Sequence, residues 1–123
     1  MKENALLKKT YELALESVVV YKVLVVGKEY ILSKQLLRCS TSPGAMAEEA
    51  QGAHSRRDFI VKLEIALKEV KESKYWFRLL VESKYLDAEE YSKFRGIQNE
   101  CEALLTSIKV SSKAAFIILN FPF

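Results

Sequence analysis

A chain of 123 residues, half of them hydrophobic and 28% charged, is long enough for one folded core and too apolar for a disordered tail. Its 19 Lys and Arg against 16 Asp and Glu leave a formal charge of +3, too small to imply a polyanionic partner by itself. Four Gly and two Pro supply few turns for a many-stranded β fold, and one His with two isolated Cys removes most metal and nucleophile chemistry.

The periodicity predicts four helices over about 3–26, 33–51, 55–84 and 87–118, with an apolar tail at 119–123, all in a single domain spanning 1–123. In the first, Leu6, Leu13, Val20 and Leu24 mark one face, which Thr10 and Ser17 share. The Val-rich stretch 18–26 suits a strand locally, but a pattern continuous from Leu6 is too long for one. Gly27 is expected to end this helix in the left-handed conformation. Ser33 is the expected N-cap of the second, whose inward positions are small: Ser40, Pro43, Gly44, Ala47 and Ala50. Pro43 is expected to kink or restart it, with Thr41 and Ser42 satisfying the freed backbone groups.

The third helix carries the clearest stripe: Phe59, Leu63, Ala66, Leu67, Val70, Phe77, Leu80 and Val81, with Ser55 as N-cap and Asp58 in its first turn. In the fourth, Asp87 is the expected N-cap. Phe94, Cys101, Ile108 and Ala115 keep one heptad row, and Ile97, Leu104, Ser111 and Ile118 another. Four long helices with short connections predict an all-α, antiparallel up-down-up-down four-helix bundle.

Two strings carry a family resemblance. Ser33-Lys34-Gln35-Leu36-Leu37-Arg38-Cys39-Ser40-Thr41-Ser42-Pro43-Gly44-Ala45, followed by Glu48-Glu49-Ala50, resembles the second-helix signature of the four helix bundle protein family. Those proteins were first noticed as reading frames within intervening sequences of bacterial 23S ribosomal RNA genes. Asp58-Phe59-Ile60-Val61-Lys62-Leu63-Glu64-Ile65-Ala66-Leu67-Lys68-Glu69, with Glu72-Ser73, Tyr75-Trp76 and Leu79-Leu80, resembles its third-helix signature. Met46 departs from the family's usual Asn. The resemblance implies a ring-shaped homopentamer and no known catalysis. A related branch, the accessory variability determinant of diversity-generating retroelements, works beside a reverse transcriptase and binds nucleic acid through basic surface residues.

Candidate nucleic-acid contacts are therefore Lys34, Arg38, Arg56, Arg57 and Lys62, although a solvated face tempered by Glu48, Glu49 and Asp58 is the reading placed ahead. Tyr75, Trp76, Phe121 and Phe123 are candidate oligomer contacts. No catalytic, metal or cofactor residues are expected. His54 lacks a neighbour to orient it, Glu48, Glu49, Glu69 and Glu72 lack the Glu-x-x-His spacing of carboxylate metal sites, and Ser40-Thr41-Ser42 lacks an activating base. Cys39 and Cys101 read as buried free thiols. No run approaches the ~20 apolar residues of a membrane span, and Met1-Lys2-Glu3-Asn4 opens without a secretory apolar segment, so a cytoplasmic protein is expected. The readings left open are a non-enzymatic oligomeric module that binds nucleic acid or a nucleic-acid enzyme, and a scaffold for other proteins.

Overall fold

Each helix begins where a side chain, or a turn, takes up the backbone donors that its first turn leaves free. The computed structural model describes residues 4–120, with side chains through Ala115; the expected contacts Phe121 and Phe123 lie outside the described residues. Within this span are α1 (Ala5–Val26), α2 (Leu32–Gln51), α3 (Arg56–Glu82) and α4 (Ser92–Asn120), and no strand is found among the described residues. Asn4 caps α1 by accepting from the N–H groups of Leu6 and Leu7, and Ser55 caps α3 by accepting from Asp58.

The expected caps of α2 and α4 need correction. Ser33 lies inside the first turn of α2, buried, its hydroxyl donating to the Glu29 carbonyl. The cap is the Glu29 carboxylate, which accepts from the N–H groups of Ile31, Leu32 and Ser33 at 3.2, 2.9 and 2.6 Å. Burial pushes Glu29 up, but these three donors and the Ser33 hydroxyl outweigh it, so its pKa falls below the ordinary 4.5. Asp87 instead closes a separate turn, accepting from Glu89 and Glu90, and α4 starts only at Ser92.

The helix ends also differ from expectation. Gly27 is not left-handed (φ −79°); Lys28 takes that conformation at φ 65°. Lys28 N–H donates to Val25 and Glu29 N–H to Leu24, which satisfies the last carbonyls of α1. The same two bonds recur after α3, where Lys84 (φ 73°) and Tyr85 donate to Val81 and Leu80. A non-glycine residue there costs about 1–2 kcal/mol, which the recovered hydrogen bonds offset.

Pro43 sits within an unbroken α2 and does not restart it. Thr41 donates to the Leu37 and Arg38 carbonyls, not to the Cys39 carbonyl, the one that Pro43 deprives of its usual partner.

The four helices close a cycle. α1 packs on α2 and α4, α3 packs on α2 and α4, and among the described residues the backbones of the diagonal pairs do not approach closely. The centre is filled by Leu13, Val20, Leu36, Leu63, Val70, Leu80, Phe94 and Leu105, all 2% exposed or less. Each such side chain contributes about 1.5–3 kcal/mol by leaving water. Phe59 and Val81 are only partly buried, and Ile60 takes an inward place on α3. Met46 is partly buried against the core.

Candidate functional site

The five basic residues expected to form one patch are not brought together. Lys34 is exposed near the start of α2, whereas Arg56 and Arg57 are exposed at the start of α3, beside the far end of α2. Seventeen residue steps along α2, from Lys34 to Gln51, separate the two groups by about 25 Å. Arg38 reaches across to α3, where its guanidinium bonds Glu69 at 3.1 Å and also Glu72, and it bonds Gln35 on its own helix. Lys62 approaches Glu49 at 4.0 Å. Two of the five cations are thus already matched by carboxylates.

Glu69 and Glu72 are the acceptors of this α2–α3 clasp. Trp76 completes it. Its indole N–H donates to Glu72 at 3.1 Å while its ring packs on the core. The Trp76 bond, with Arg38 acting against the effect of burial, holds the Glu72 carboxyl below its usual 4.5. Tyr75 is the outward member of the pair, 52% exposed and edge-on to Trp76, with ring centres 5.1 Å apart.

What sequence reasoning missed is the outer face of α1. Tyr11, Leu15, Val18, Val19, Val23 and Val26 are all exposed there, with Leu15 at 51% and Val26 at 84%. They recur at the spacing of one broad helix face, interrupted by Lys22. The signal was present in the Val-rich stretch, whose ambiguity between strand and helix arose because α1 is apolar on both sides. α3 carries a thinner outward row of Val61, Ile65 and Leu79, interspersed with Lys68 and Glu72. Because α1 and α3 are diagonal in the bundle, these two faces look in opposite directions.

Cys39 and Cys101 are free and buried, and burial pushes each thiol up to about 12. Ser40 Oγ is buried without a hydrogen-bond partner. His54 is exposed in the α2–α3 connection. Among the described residues no three His, Cys, Asp or Glu side chains gather as a metal set, and no helix is long and apolar enough to cross a membrane.

A four-helix, all-α bundle with paired outward apolar faces defines the structural class. Residues 2–107 match the profile of the 23S rRNA-intervening sequence protein family, and the chain belongs to that family. Among solved structures, it is similar to a protein of unknown function from the S23 ribosomal protein family of Bacteroides thetaiotaomicron. The two share 44% identity and a TM-score of 0.83, over 85% of this chain and 98% of the other. A search of curated proteins gives no match.

Proposed function

We propose that this chain is a non-enzymatic, self-assembling cytoplasmic module, a ring-shaped homopentamer of antiparallel up-down-up-down bundles that presents basic surface to nucleic acid or to a nucleic-acid enzyme. The observation that carries the reading is the outer face of α1. A helix apolar all round is normally covered on all sides, and a contiguous exposed patch on a small protein marks an interaction surface. Its counterpart is the outward row of α3 on the opposite side of the bundle. A contact between two different faces is head-to-tail, which closes into a ring when successive copies are turned relative to one another and runs on as a filament when they are not.

The antiparallel topology draws on cross-helix pairs whose numbers rise along one helix as they fall along its neighbour. Lys9 meets Glu100 while Glu16 meets Lys93, and Glu49 meets Lys62 while Arg38 meets Glu72.

Light scattering tests the assembly, with a mass five times that of the chain expected. Leu15→Glu/Val19→Glu on α1 and Val61→Glu/Ile65→Glu on α3 should each give monomers. An equimolar mixture of the two variants should recover dimers, because one intact face of each kind remains. A monomeric wild type at micromolar concentration rules the ring out. For the nucleic-acid part, a gel shift that weakens with salt is expected. A second reading, a scaffold for proteins alone, draws on the carboxylates that already occupy Arg38 and Lys62. It is favoured if the assembled protein binds no DNA or RNA at low salt.

A further inference from the structure

Between α3 and α4 the surface opens into a cleft of about 320 Å³. Lys71, Lys74 and Arg78 line it from α3, and Arg95 from α4. Four cations around one cavity repel each other unless counter-charge is supplied. Here the supply is incomplete. Lys74 is held by Glu102 at 2.7 Å, and Arg78 reaches Glu82 at 3.5 Å in a pair whose side chains are both 70% exposed. Lys71 and Arg95 have no side-chain hydrogen bond or ion pair among the described residues. Two cations are therefore left for an external anion.

The rest of the lining suits a nucleotide better than a bare anion. Phe77, almost fully buried, contributes apolar surface. Gln98, 1% exposed, contributes a carboxamide in a fixed orientation. The Ser73 hydroxyl donates to the Val70 carbonyl at 2.6 Å, so it can only accept from Gln98 Nε2 at 3.1 Å. The carboxamide oxygen remains the free acceptor, suited to an N–H or amine on a base edge. Tyr75 lines the same cleft with its ring half exposed and Trp76 set edge-on behind it. An exposed aromatic face beside cations is the combination on which single-stranded bases stack. The volume is at the small end of the roughly 300–1,000 Å³ of ligand pockets, enough for one nucleotide unit.

We propose that the α3/α4 cleft holds one nucleotide of a single-stranded nucleic acid, its phosphate on Lys71 and Arg95 and its base on Tyr75. The proposal rests on the nucleic-acid part of the reading above and moves the contact away from Lys34, Arg56 and Arg57.

The test is fluorescence anisotropy with a labelled oligothymidylate of about twelve nucleotides and a duplex of equal length, at about 50 mM salt. Full-length wild type is compared with Lys71→Glu/Arg95→Glu, Arg56→Glu/Arg57→Glu and Tyr75→Ala, with folding checked by thermal melts. Expected are a tenfold or greater loss for the cleft double variant and a change below about twofold for Arg56→Glu/Arg57→Glu. Tyr75→Ala should cost roughly tenfold on the single strand, with the duplex unaffected. Undiminished binding by the cleft double variant overturns the proposal and leaves the wider reading standing. Absence of wild-type binding to either probe removes both. Displacement of the oligonucleotide by micromolar thymidine monophosphate overturns the polymer as occupant in favour of the free nucleotide.

Discussion

Where α1 crosses α2, the backbones nearly touch; where α3 crosses α4, large and charged side chains fill the seam. A Cβ placed on Gly44 would come within 3.3 Å of the Thr10 carbonyl oxygen, and the neighbouring inward residues Ser17, Ser40 and Ala47 are equally small. Across the other seam the Phe77 and Phe94 rings pack at a tilt with centres 5.4 Å apart, Gln98 reaches Ser73, and Lys74 and Lys113 bridge to Glu102 and Glu64. A seam built from small residues gains dispersion contacts by close approach, and the cleft of about 270 Å³ at its rim is lined mainly by Leu7, Tyr11, Ala14, Gly44 and Ala45, with no cation among its lining residues. One built from large and charged residues leaves space at its rim, and that is where the cationic cleft lies.

Substitutions that reverse each seam sharpen the contrast. Phe94→Ala should have the largest effect, a loss of about 3–5 kcal/mol in urea unfolding, because a ring 2% exposed is deleted from a position its neighbours cannot collapse into. A loss under 1 kcal/mol would mean that the α3/α4 seam is loosely packed throughout. Gly44→Val should cost about 1–3 kcal/mol, since the obstructing atom is backbone and the helices must part. Unchanged stability would show that the α1/α2 approach is adjustable.

The smallest effect expected is at the turn that leads into the tight seam. Glu29→Ala should cost about 1 kcal/mol at neutral pH by removing the acceptor of three N–H groups. Because the folded pKa of Glu29 is depressed, its contribution is complete above the ordinary value of 4.5 and disappears as pH falls through the lower folded value. The difference between wild type and variant should therefore shrink below pH 4.5. A difference that stays constant with pH would show that the carboxylate charge plays no part.

Helix number, order and most core rows were legible because they are local, but in α4 the buried positions are Leu105 and Ser112, where Leu104 and the exposed Ser111 were expected. Phe94, Ile97 and Cys101 announce their face by spacing alone, and all three are buried. Ser55, the cap of α3, follows the same local rule, but Glu29 caps α2 from outside any familiar capping position, and its acceptor geometry exists only once the α1–α2 turn has formed. Charges were the least legible part. Arg38 and Glu69 lie 31 residues apart, so nothing in sequence showed that this cation was already matched. Lys71, Lys74 and Arg78 share a helix side in the sequence, yet the cleft becomes visible only when Arg95 arrives from another helix.

The two apolar sides of α1 also bear on how the chain is made. α1 leaves the ribosome first, and until α2 follows it carries sticky surface around most of its circumference. α2 can cover only part of that surface, and the row from Tyr11 to Val26 stays bare even after the bundle closes. Newly finished chains are therefore most vulnerable to mispairing when dilute and unaccompanied. Synthesis from neighbouring ribosomes on one message, which raises the local concentration of identical chains, would shorten that exposure.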